Sequence, residues 1–219
     1  MDTRRDPFAA TTVRSAYDVA ARDYAAAFGD DLAQLPLDRE MLDAAIAAAP
    51  AHGWVLEAGC GPAPAATHLG AVRMLGIDLS HEMLVIAGER SSELPRAQAD
   101  VRRLPLRDGS CALVIAFYVV QHLGRTELGR VLDEVRRVLR MDGVLLMAAH
   151  LGDSVVISTE FLGHPVAPVG GTLYSRDDLL AAVVGAGFVV DLERQRGPLP
   201  NEFASQRLYL LAHRTTATP

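Results

Sequence analysis

A chain of 219 residues, half of them hydrophobic, is long enough to bury one substantial core. Its net charge of −6 leaves no basic footprint for nucleic acid, and its longest apolar run, 111–120, is too short to span a bilayer. Cys60 and Cys111 stand at no metal-ligand spacing and read as buried free thiols. The polar, charged N-terminus carries no apolar segment of signal length, so the reading is of a soluble, cytoplasmic protein.

The first fifty residues read as helix. Thr11 or Thr12 stands where an N-cap would open a helix with Val13, Ala16, Tyr17, Ala20, Tyr24 and Phe28 on one face, ended by Gly29. A second helix begins near Asp38 and runs through Met41, Leu42 and Ile46 until Pro50 stops it. From Trp54 onward strands and helices alternate. Strands are predicted at 54–58, 72–77, 95–99, 111–118, 143–150, 187–194 and 204–212, and helices at 63–69, 80–91, 125–139 and 175–186. Crossover helices between apolar strands imply an α/β, doubly wound, mainly parallel sheet covered on both faces. The last two strands, joined by a loop without a helix, pair as an antiparallel hairpin. Segment 151–174 is rich in Gly and Pro and reads as a long loop with a short helix. No internal repeat or linker divides the chain, so residues 1–219 read as one domain: a helical lid (1–50), a cofactor-binding core (54–150) and a substrate side with the C-terminal strands (151–219).

In such a sheet, ligands bind beyond the carboxyl ends of the strands. The first strand is followed by Glu57, Gly59, Cys60, Gly61 and Ala63, and the second by Asp78 and Leu79. After the third come Asp100 and Val101, after the fourth Phe117, Tyr118 and Gln121-His122-Leu123, and after the fifth His150. The glycine turn lets bare backbone approach a ligand, and Asp78, about twenty residues on, suits ribose hydroxyls. Three acids at three successive strand ends fit poorly with an anionic pyrophosphate. A cation with ribose hydroxyls and an exocyclic amine, such as S-adenosylmethionine, fits better.

The ordered set of motifs resembles class I S-adenosylmethionine-dependent methyltransferases of the small bacterial, small-molecule type. Tyr17-Asp18-Val19-Ala20-Ala21-Arg22-Asp23-Tyr24 is similar to the family's N-terminal helix. Leu56-Glu57-Ala58-Gly59-Cys60-Gly61-Pro62 is similar to its glycine motif, and Gly76-Ile77-Asp78-Leu79-Ser80 to its ribose-binding segment. Ala99-Asp100-Val101 with Leu104-Pro105 resembles the adenine-edge segment, and 136–146 the passage into the fifth strand. The C-terminal pieces 174–188 and 207–212 extend the likeness over nearly the whole chain. Three positions depart from the pattern: Ala63 for the third glycine, Cys111-Ala112 for Phe-Asp, and Met141-Asp142 within the usual Arg-Pro-Gly-Gly turn.

The resemblance implies a Rossmann-like seven-stranded sheet and roles for named residues. Gly59, Cys60 and Gly61 would pack on the methionine part and ribose, and Glu57 would sit near the ammonium. Asp78 would hold the ribose hydroxyls, with Leu79 and Met83 against adenine. Asp100 would accept from the adenine amine while the Val101 amide donates to the ring. Tyr17 would close the lid on the cofactor, and Phe117 and Tyr118 would shape the methyl-transfer channel. His122 and His150 are the candidate catalytic bases, needed only where the acceptor carries a proton. The acceptor is expected to be a mostly apolar small molecule, for which a secondary metabolite would fit. S-adenosylhomocysteine is the expected product, and a monomer or homodimer the expected assembly. No metal, nucleic acid or membrane partner is expected. Two rival readings, a nicotinamide-dependent oxidoreductase and a non-catalytic nucleoside-binding domain, share the same glycine turn.

Overall fold

The computed structural model describes residues 6–29, 31–70, 73–200 and 202–215. Helix α1 (Ala10–Phe28) opens without a side-chain cap. Asp6 forms the turn instead: its carboxylate accepts from the Phe8 amide and its carbonyl from the Ala9 amide, so the helix begins before Thr11 and Thr12. The Thr12 hydroxyl donates back to the Asp6 carbonyl at 3.1 Å. Helix α2 (Pro36–Ala48) likewise starts ahead of Asp38, because Pro36 at the first position has a preset φ and no amide to leave unpaired.

The alternating part comprises β1 (Trp54–Ala58), α3 (Pro64–Leu69), β2 (Met74–Asp78), α4 (His81–Arg90), β3 (Arg96–Gln98), β4 (Cys111–Phe117), α5 (Leu128–Val138) and β5 (Leu139–His150). Val72, assigned to the second strand from sequence, lies outside the described residues. After β5 come β6 (Val155–Phe161), β7 (His164–Thr172), α6 (Arg176–Gly185), β8 (Phe188–Arg196) and β9 (Arg207–Arg214). Seven strands form one sheet in the order β3-β2-β1-β4-β5-β9-β8. Strands β1 to β5 run parallel, and β9 inserts antiparallel between β5 and β8. Chain order reverses between β1 and β4, which opens the crevice at their carboxyl ends.

Each sheet face carries its own core. The α5 stripe Val131, Leu132, Val135 and Val138 packs with Leu179 and Val183 of α6 on one side. Met41, Leu42 and Ala45 of α2 meet Ala65, Ala66 and Leu113 on the other. Both cysteines are free and buried.

The expected loop at 151–174 is instead a two-stranded antiparallel sheet, β6 with β7. Leu162 and Gly163 have φ of 49° and 81° and join Phe161 to His164 in a two-residue turn. The β-branched run Val155-Val156-Ile157 supplies the strand, and Pro165 and Pro168 are tolerated because β7 pairs on one side only. This hairpin lies against α1, and together they roof the carboxyl ends of the sheet.

Candidate active site

The turn after β1 folds back on β2. The amides of Gly59 and Cys60 donate to the Ile77 carbonyl at 2.7 and 2.9 Å. Gly59 and Gly61 have φ of 69° and 49°, and a Cβ on Gly59 would lie 2.7 Å from Val119. Ala63 adopts φ 57° with its methyl fully buried, so the third position of the motif keeps a glycine-like backbone with an alanine in it. Asp78 pins this turn: one carboxylate oxygen accepts from the Gly61 amide and the other from the Ser80 amide, each at 2.8 Å. Desolvation pushes its carboxyl above the ordinary value in spite of those bonds. Ser80 caps α4 through Met83 and donates to Asp18 of α1 at 2.6 Å, tying the roof to the ribose-side loop.

Two adjoining cavities result. The smaller, about 90 Å³, is walled by Asp78, Leu79, Met83, Asp100 and Val101. The larger, about 380 Å³, reaches Glu57, Cys60 and His150 and extends under the hairpin. Tyr17, Tyr24, Gly59, Gly61, Phe117, Tyr118 and His122 border both. The structure therefore places the cofactor-binding and catalytic candidates of the sequence in the walls of these two adjoining cavities, while Ala63, Cys111 and Ala112 line neither.

Several of these groups already have partners. Glu57 is buried and accepts from the Ala65 and Ala66 amides at the start of α3, at 3.1 and 3.2 Å. Desolvation outweighs those bonds and raises its pKa to about 8. The Asp100 carboxylate holds the Arg102 amide at 2.9 Å and its guanidinium at 3.1 Å, so an adenine amine would share it with Arg102. His122 sits on a short 3₁₀ turn, with Nε2 2.7 Å from the Tyr17 hydroxyl and Nδ1 3.2 Å from the Gly170 carbonyl. With Nδ1 donating and Nε2 accepting, both ring nitrogens are spent on roofing the site. Burial lowers its pKa to about 4. The His150 ring lies 5.1 Å from that of Tyr118, with Nδ1 2.8 Å from the Ser205 hydroxyl, and burial lowers its pKa to about 4 as well.

Sequence reasoning misses a buried polar cluster behind Tyr118. Asp38 of α2, Tyr209 of β9, Arg196 of β8, Glu202 and Arg207 form it, and Tyr118 joins it through Tyr209. Arg196 grips Glu202 through two bonds of 2.6 and 2.8 Å; these overcome desolvation and hold that carboxyl down to about 2. One clue is legible: Asp38 shares a helix face with Leu42 and Ala45, an acid where the spacing demands a core residue.

The donor set suits S-adenosylmethionine. Asp78 and Asp100 supply acceptors at the ends of β2 and β3, and Leu79 and Met83 an apolar slot. The space beside Gly61 is open: a Cβ there would have Tyr24 as its nearest neighbour, 4.0 Å away. A family model described as a methyltransferase domain matches residues 56–147. The chain is 33% identical over 210 residues to a malonyl-acyl-carrier-protein O-methyltransferase of Laribacter hongkongensis, covering 83% of this chain and 66% of that protein. It is 31% identical over 138 residues to a "probable S-adenosylmethionine-dependent methyltransferase" of Mycobacterium tuberculosis, covering 62% of this chain and 48% of that one. The chain spans 31–66% of the lengths of the curated relatives it matches. In fold it is similar to the DhpI–SAH complex, with a TM-score of 0.72 at 18% identity, covering 97% of this chain and 100% of that one.

Proposed function

Because the chain belongs to the class I S-adenosylmethionine-dependent methyltransferases, we propose that it transfers a methyl group from S-adenosylmethionine to a small-molecule acceptor in the larger cavity. The observation that carries this reading is the pair of cavities sharing one wall, with cofactor-type acids in one and an apolar chamber in the other. Bound there, the cofactor supplies an electrophilic methyl group. The residues of the chain bind, orient and shield. Asp78 and Asp100 offer acceptors to ribose and adenine, Val101 offers its amide, and Glu57 lies where an ammonium would draw it toward its ionised form. Tyr17, hydrogen-bonded to His122, closes α1 over the wall between the cavities and excludes water. Tyr24, Phe28, Phe161 and Phe203 line the larger chamber, which supports an acceptor with an apolar body. Among relatives, names for both O- and N-methylation occur, so the acceptor atom follows from this chain's own cavity.

Titration calorimetry with S-adenosylhomocysteine tests the proposal. Wild-type protein should bind, and Asp78→Asn should lose about tenfold or more in affinity, as expected for a lost charge-assisted hydrogen bond. Absence of binding at millimolar ligand, or a melting midpoint raised by NADH and not by S-adenosylhomocysteine, would overturn it.

A further inference from the structure

Tyr118 stands in the wall between the two cavities with a backbone φ of 55°. A ring-bearing residue occupies that region only where its surroundings compel it. Here the β4–β5 register compels it: the Tyr118 amide donates to the Ala148 carbonyl at 2.8 Å. The strained turn delivers the phenol hydroxyl to 2.7 Å from that of Tyr209.

The direction of this contact follows by elimination. Tyr209 has one hydroxyl proton and gives it to Asp38 Oδ2 at 2.8 Å, while it accepts from Arg196 Nε at 3.0 Å. Tyr118 must therefore donate to Tyr209, and the lone pairs of the Tyr118 oxygen remain to receive a proton. Its longer contact, 3.5 Å to Asp38 Oδ1, ends on the same carboxylate. A one-way chain runs from the cavity wall through two phenols to a carboxylate that is 1% exposed. The charged groups facing Asp38 are Arg196 from β8, 3.5 Å away, and Glu202, which is itself held by Arg196; Arg207 of β9 lies behind Glu202 at 3.3 Å. His150 from β5 faces the Tyr118 ring. His122, by contrast, has both nitrogens engaged in the roof.

We propose that Tyr118 is the general base of the methyl transfer, relaying the acceptor's proton through Tyr209 to Asp38, and that the acceptor is a phenol or enol hydroxyl. The proposal rests on the methyltransferase reading above. The acceptor O–H bond breaks and its electron pair forms the new O–CH₃ bond, while the S–CH₃ bonding pair stays on sulfur. The proton goes to the Tyr118 oxygen, the Tyr118 proton to Tyr209, and the Tyr209 proton to Asp38, which releases it after product leaves. Burial pushes the hydroxyls of Tyr118 and Tyr209 above the ordinary phenol value, so each passes its own proton on as it receives one, and the proton comes to rest on Asp38, whose carboxyl burial also pushes up. A phenol or enol, at about 10 among the most acidic of neutral hydroxyls, gives up its proton to that carboxylate most readily. A hydroxyl as weakly acidic as water, about 15.7, would leave the relay uphill. A carboxylic acid, already ionised at neutral pH, would need no relay.

The test uses 4-nitrophenol, added to the protein–S-adenosylhomocysteine complex one pH unit below the free phenol's own pKa. About a tenth of the free phenol is then ionised; the relay should raise the bound fraction above about one half, read as phenolate absorbance. Asp38→Asn keeps an acceptor for Tyr209 but takes no proton, and should return the absorbance to the free value with S-adenosylhomocysteine affinity unchanged. Tyr118→Phe should likewise return the absorbance to the free value, and serves where Asp38→Asn fails to fold. Failure of the complex to bind 4-nitrophenol, or phenolate absorbance that is absent in the wild type or persists in both variants, overturns the proposal. Loss of S-adenosylhomocysteine binding by the wild type would instead strike the methyltransferase reading itself.

Discussion

Glu57 has two backbone donors yet retains its proton at neutral pH, because withdrawal from water outweighs two amide hydrogen bonds of 3.1 and 3.2 Å. With a folded-state pKa of about 8 against 4.5, the native state binds one proton more than the unfolded chain between those values. Stability should therefore fall as pH rises from 4.5 to 8, by about 1.4 kcal/mol per pH unit from this group. Glu57→Gln should flatten that part of the profile in urea titrations while keeping α3 anchored through its amide oxygen. His122 acts in the opposite sense. Burial lowers its pKa from 6.5 to about 4, so the unfolded chain takes the extra proton and stability falls as pH drops through that window. Its imidazole should remain neutral at pH 5.5 by NMR. The acids and glycines of the proposed cofactor side are placed from sequence because each sits at a strand end, where topology dictates its position. The surroundings of His122 are not, because nothing in its neighbours in sequence reveals that Tyr17 and Gly170 occupy its two nitrogens.

Helix α1 is held by contacts to three other elements. Asp18 receives Ser80 at the start of α4, Tyr17 meets His122, and Asp23 pairs with His164 of β7 at 2.7 Å. An amphipathic helix on such hydrogen bonds opens more readily than one buried in the main core. Tyr17→Phe keeps the ring contacts with Tyr24 and Phe161 but removes the bond to His122. It should cost about 1 kcal/mol of closure, seen in stopped-flow as roughly fivefold faster release of S-adenosylhomocysteine, with little change in melting temperature. The helices and the seven main strands follow from periodicity. The β6–β7 hairpin does not, because Leu162-Gly163 lacks the Asn-Gly or Asp-Gly turn that marks such loops, and the prolines of β7 point away from a strand.

Across the whole molecule, a ligand that bridges β1, β2, β3 and the roof is coupled to global unfolding. Saturation with S-adenosylhomocysteine at a hundred times its Kd should add about 2.7 kcal/mol, or roughly 5–10 °C in melting temperature for a chain of this size. Asp78→Asn, binding about tenfold more weakly, should roughly halve that shift at the same ligand concentration. The proposed cofactor half is open to sequence reading because its residues, Tyr17 apart, cluster between Glu57 and Tyr118 in short strand-end motifs. The acceptor half is not, because the polar cluster behind Tyr118 joins residues as distant as Asp38 and Tyr209, separated by 171 positions. The wall of Tyr17, Tyr24, Gly59, Gly61, Phe117, Tyr118 and His122 is where these two halves meet. Much of the larger cavity's lining comes from α1, α2, the hairpin and the segment before β9, outside the strand-end motifs. A chimera that replaces the β6–β7 hairpin and the 197–206 loop with those of a relative should inherit the donor's choice of acceptor while keeping its own grip on the methyl source. That outcome would mean that the choice of acceptor can change by exchange of these pieces alone.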